Sequence, residues 1–108
     1  MADRAGEKVL RHVEEEGLAF IPWFPLGHGD LVGADGRLAE VAAGFGVTAA
    51  QLALAWLLHT SPNTILIPGT TSIAHLDQNM AALDVRLTDD QWRDVEDAAA
   101  QMKPWRPA

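Results

Sequence analysis

His75 and Asn79 lie four residues apart, on one face of any helix that contains both. They follow a run with its own chemistry: Thr64-Ile65-Leu66-Ile67 reads as a short apolar strand, which Pro68-Gly69 ends because proline lacks the ladder N–H and glycine accepts φ > 0. Thr70, Thr71 and Ser72 then offer three hydroxyls to cap the next helix, whose Ile73, Leu76, Met80 and Leu83 form one apolar stripe. Strand, polar turn and helix start outline an anion site. The unpaired N–H groups and the positive end of the helix dipole face the point where the strand stops. The same residues also suit an ordinary, well-capped strand-to-helix loop, and local chemistry leaves both readings open.

The elements that must hold this site can be followed along the chain. Asp3 can cap a first helix with Ala5, Val9 and Val13 on its stripe, Glu14-Glu15-Glu16 at its end and Gly17 as C′ residue. Leu18-Ala19-Phe20-Ile21 reads as a strand buried on both faces, the habit of parallel sheets. Trp23 to Asp30 is a loop rich in Pro and Gly. Leu38, Val41, Ala42 and Phe45 mark a helix stopped by Gly46. Thr48 and Gln51 form a capping box for another, apolar almost all round from Leu52 to Leu58, with Val47 and Leu52 as a staple. A last helix opens on a second box, Thr88 with Gln91, and buries Trp92, Val95, Ala99 and Met102. The order α, β, loop, α, α, β, α, α is a run of βα units, whose parallel strands are joined by a helical crossover.

Ile67-Pro68-Gly69-Thr70-Thr71-Ser72, then His75-Leu76 and Gln78-Asn79, resembles the cofactor-binding segment of the aldo/keto reductases. The usual form there is Ile-Pro-Lys-Ser, a spacer of four, Arg, a branched apolar residue, one spacer, Glu, Asn. Ile21-Pro22-Trp23-Phe24-Pro25-Leu26-Gly27 resembles the same family's aromatic-Ser-Pro-Leu-Gly loop. The likeness runs from about Asp3 to about Ala100 and matches only the last third of the family's barrel. It implies an α/β fold, a partial (β/α)8 TIM barrel: the last two βα units with a preceding helix and a C-terminal helix. A whole barrel needs about 250 residues and eight strands, so residues 1–108 are expected to be a single incomplete domain.

The resemblance assigns NADP or NAD as cofactor. It implies that Trp23 stacks on the nicotinamide and that backbone groups around Phe24, Leu26 and Gly27 meet the pyrophosphate. It further implies that Pro68, Gly69, Thr70, Thr71, His75, Gln78 and Asn79 form the rest of the cofactor contact. A flat indole face suits a planar heteroaromatic ring, though without the resemblance a loop tryptophan is more often one wedged between helix and sheet. Phe24 replaces the family's serine, which leaves any phosphate contact there to the backbone. Gly69 and His75 stand where the family has lysine and arginine, so neither residue type supplies a fixed positive charge and the choice between NADP and NAD stays open. Asn79 can exchange hydrogen bonds with an adenine edge, and Gln78 keeps a glutamate's reach without its charge.

No catalytic residue is expected in this chain. Family catalysis uses a tyrosine acid with aspartate, lysine and histidine on earlier parts of the barrel, and this sequence contains no tyrosine. Its lysines, Lys8 and Lys103, lie in terminal helical regions. His12, His28, His59 and His75 show no HxH or HExxH spacing and there is no cysteine, so no metal site is expected and disulfides are excluded. Ser61 and Ser72 sit in no G-x-S-x-G elbow.

A net charge of −7 with only eight Lys and Arg argues against nucleic acid or an anionic membrane as partner. The segment from Leu38 to Leu58 has the outline of a helix-turn-helix, but its second helix carries no Lys or Arg and opens on Ala49, Ala50 and Gln51. A chain 48% hydrophobic and 21% charged is globular, and no apolar run approaches the ~20 residues of a membrane span. Met1-Ala2-Asp3-Arg4 leads into a charged helix without an apolar h-region, so a cytoplasmic protein is expected. Partners are then a nicotinamide cofactor and, in a completed barrel only, a small carbonyl substrate. A non-catalytic fragment that self-associates through unpaired strand edges is the alternative.

Overall fold

Three helices made by strong local signals enclose the core. The computed structural model describes residues 7–22 and 37–100, in which helices α1 (Glu7–Glu15), α2 (Arg37–Gly44), α3 (Ala49–Thr60), α4 (Ile73–Ala81) and α5 (Asp89–Ala100) follow one another, with a 3₁₀ turn (Ala82–Asp84) after α4. The core joins Leu38 and Ala42 of α2, Leu52, Ala53 and Trp56 of α3, and Trp92, Val95 and Ala99 of α5. Leu52, Leu54 and Val95 are fully buried, each burial stabilising by about 1.5–3 kcal/mol relative to exposure. α3 is covered from Ala49 to Trp56 except at Gln51, which answers its all-round apolar sequence. Two cross-ties fix α5 against α3: Trp56 Nε1 donates to Glu96 Oε1 at 2.6 Å, and the His59 ring stacks on Trp92 with centroids 4.2 Å apart.

The helix ends form as their residue types dictate. α1 and α2 both close on a Schellman motif: Leu18 N–H bonds the Val13 carbonyl and Gly17 N–H that of Glu14, and Val47 and Gly46 repeat this on Ala42 and Ala43. Gly17 and Gly46 have φ of 68° and 73°, the left-handed conformation the motif requires at C′. Both capping boxes are complete, Thr48 with Gln51 and Thr88 with Gln91. The helix cap expected at Asp3 and the buried position expected for Met102 lie outside the described residues.

The sheet departs from expectation. Phe20 and Thr64 form a parallel bridge, with Phe20 N–H bonding the Asn63 carbonyl and Ile65 N–H that of Phe20, both at 2.9 Å. The parallel direction is as expected, but pairing stops at this one bridge, and no longer strand forms among the described residues. Nor are the segments buried on both faces: Leu18, Ile21, Ile65 and Ile67 are each about half exposed. A parallel strand gains its stability from neighbours on both edges and helices on both faces, and among the described residues each segment has one neighbour. Beside the bridge, Ser61 is buried, and its hydroxyl, with the Arg11 guanidinium, holds the Glu14 carboxyl below the ordinary glutamate range.

Candidate cofactor site

The turn between Ile67 and α4 builds its own donor set. Ser72 is the N-cap: its Oγ accepts from His75 N–H at 3.3 Å, and its carbonyl accepts the first helical bond from Leu76. Ser72 N–H in turn donates to Thr70 Oγ1 at 3.1 Å, a local turn that folds the hydroxyl run against the helix start. Two hydroxyls thus accept from the backbone, and each retains its own O–H proton to give. The N–H groups of Ile73 and Ala74, at the first two helical positions, make no hydrogen bond within the described residues. An anion in front of α4 would meet these N–H groups, the hydroxyls and the positive end of a nine-residue helix.

Gly69, Thr70, Thr71, His75 and Gln78 are exposed, and Pro68 and Asn79 are half-buried. The turn and the length of α4 therefore carry the second predicted segment on an open surface. Trp23, Phe24, Leu26 and Gly27 lie outside the described residues. Gly69 corrects one expectation, for it does not adopt a positive φ; Pro68 and the change of course after it end the extended segment without a left-handed residue. A Cβ at Gly69 would meet nothing within 4 Å, so the space beside it is open. From Ile65 to Val85 the chain has no Lys or Arg, and binding of phosphate there would rest on backbone and hydroxyl donors.

The apolar stripe of α4 does not face a core. Ile73 is 79% exposed and Leu76, Met80 and Leu83 are each at least half exposed, while Ala82 alone is buried in this region, against α3. The α2 and α3 helices meet at 86°, close to helix-turn-helix geometry, with Ala49 and Ala50 buried. No group of three or more metal-ligating side chains occurs among the described residues, and no single helix there is long and apolar enough to cross a membrane.

The aldo/keto reductase family model matches residues 1–100. The chain belongs to the aldo/keto reductase family. Pyridoxine 4-dehydrogenase of Escherichia coli is 46% identical over 90 residues, which are 83% of this chain and 31% of that protein. An uncharacterized oxidoreductase of Schizosaccharomyces pombe is 35% identical over 97 residues, 90% of this chain and 32% of that one. The crystal structure of an aldo-keto reductase from Klebsiella pneumoniae in complex with NADPH superposes with a TM-score of 0.79 at 29% identity, over 97% of this chain and 38% of that one. This aldo/keto reductase chain thus spans about a third of the length of the relatives it matches.

The sequence names Gln51 only as the partner of Thr48 in a capping box. In the structure it also reaches α4, where its Nε2 donates to the Gln78 carbonyl at 3.0 Å. The only sequence sign of this is that the box is closed by an amide, which has a donor to spare, rather than by a glutamate.

Proposed function

We propose that this chain supplies the pyrophosphate and adenosine side of a nicotinamide cofactor site for reversible hydride transfer between an alcohol and a small carbonyl compound. We propose further that it is inactive unless a matching front of the barrel is present. The observation that carries the reading is the capped N-terminus of α4. Its N–H groups at Ile73 and Ala74, without a partner among the described residues, and its hydroxyls at Thr70 and Ser72 stand beside the segment that resembles the family's cofactor motif. These donors fit phosphate oxygens, and Asn79 fits an adenine edge. The bound cofactor would supply the hydride; the chain's own residues bind and orient it. With no tyrosine, nothing here matches the family's proton donor, and general acid catalysis alone is worth about 10²–10⁴-fold in rate.

Titration of the purified chain with NADPH, followed by nicotinamide fluorescence, together with a carbonyl-reduction assay, tests this. Saturable binding without turnover is expected. Turnover that persists after rigorous removal of contaminating reductases, or absence of any binding even when a matching barrel front is supplied, would overturn the reading.

A further inference from the structure

We propose that Gln51 is the positioning residue of the cofactor site, a single amide that closes two helix ends and fixes α4 against α3. At the start of α3 its Oε1 accepts from Thr48 N–H at 3.0 Å, while its own N–H donates to Thr48 Oγ1 at 3.1 Å. These partners fix the amide's orientation: a backbone N–H requires the oxygen, and the Gln78 carbonyl, 3.0 Å from the other atom, requires the NH₂.

The Gln78 carbonyl is the one that needs such a donor. In a regular α-helix it would accept from the N–H of Ala82, but the chain tightens there into the 3₁₀ turn, and Ala82 N–H turns to the carbonyls of Asn79 and Met80. The tightening strips Gln78 of its usual partner, and Gln51, 27 residues earlier, replaces it. Ala82, the residue that leaves the ladder, is also the buried contact of this region with α3. Backbone tightening, apolar contact and amide clamp therefore coincide at one point. Because the stripe of α4 is otherwise exposed, these few contacts set where Gln78 and Asn79 stand. This step rests on the reading of α4 as a cofactor-binding helix; the clamp itself does not.

Only an amide performs both tasks. Gln51→Glu keeps the acceptor for Thr48 N–H and places a favourable negative charge at the helix start, but it has no proton for the Gln78 carbonyl. Thr48→Ala does the reverse, removing a cap hydroxyl while leaving the backbone N–H that orients Gln51. Amide hydrogen exchange on the full chain decides between them. In Gln51→Glu, exchange should rise about three- to tenfold across the end of α4 and the 3₁₀ turn, the effect of one lost hydrogen bond, with the first turn of α3 unchanged. In Thr48→Ala the rise should fall on the first turn of α3 alone. NADPH titration adds the functional arm: uncharged Gln51→Met should weaken binding several-fold, and Thr48→Ala should stay within about twofold of the parent. Unchanged α4 exchange in Gln51→Glu overturns the clamp. An intact clamp with equal NADPH affinity in both uncharged variants overturns its positioning role. If the parent itself fails to bind NADPH, the exchange data still judge the clamp and the failure falls on the cofactor reading.

Discussion

At the scale of single residues, Gly69 and His75 are expected to decide which cofactor the proposed site prefers. On the resemblance both stand where the family carries fixed positive charge, and the segment from Ile65 to Val85 has no Lys or Arg. His75 is exposed, and the space beyond Gly69 is empty, so longer side chains fit at both positions without repacking. His75→Arg is expected to raise NADP(H) affinity with little change for NAD(H), because a guanidinium pairs with a 2′-phosphate and finds no partner on a 2′-hydroxyl. Gly69→Lys should add to it. Each charge-assisted contact is worth about 1.5–3 kcal/mol at most, and solvent will reduce that at so open a site. Isothermal titrations of parent, single and double variants give the answer: an unchanged NADP-to-NAD ratio would mean that neither position faces the 2′-phosphate.

At the scale of elements, local chemistry dominates, and this is the part of the molecule most legible in the sequence. Thr48 and Gln51, Thr88 and Gln91, and the glycines at 17 and 46 act within six residues of themselves, so their roles follow from type and spacing. Gly44 and Gly46 separate two uses of one residue type. Gly44 lies inside α2 with open space where a Cβ would stand, and Gly46 holds φ at 73°. Gly44→Ala should therefore stabilise the chain by about 0.4–1 kcal/mol, largely by restricting the unfolded state, whereas Gly46→Ala should cost about 1–2 kcal/mol for the left-handed backbone. Thermal unfolding of the two variants should move in opposite directions; a shared direction would mean that α2 does not end as described. What the sequence hides at this scale is the reach of Gln51 to Gln78, because a 27-residue contact depends on where α3 and α4 pack.

At the scale of the whole molecule, sequence and structure part company for a physical reason. The apolar runs Leu18–Ile21 and Thr64–Ile67 and the stripe of α4 read as buried because their composition demands cover, yet composition does not say who provides it. Here the described chain does not: Ile21, Ile65, Ile67, Ile73, Leu76, Met80 and Leu83 are all at least half exposed. The helices α2, α3 and α5 close their own core, so the chain can be compact while this second surface stays bare. A monomer seldom tolerates a contiguous apolar patch of more than a few hundred Å², and segments with open ladder groups beside it add a pairing template. The chain in isolation is accordingly expected to self-associate, giving sedimentation coefficients that rise with concentration. Leu76→Glu together with Met80→Glu, a helical turn apart on the exposed stripe, should shift that equilibrium toward monomer without loss of helix, since neither side chain belongs to the core. A barrel front supplied in trans should compete with self-association for the same surface and abolish it in the parent. A parent that sediments as a sharply folding monomer at all concentrations would show that this surface seeks no partner, and that the chain reaches stability from the three-helix core alone.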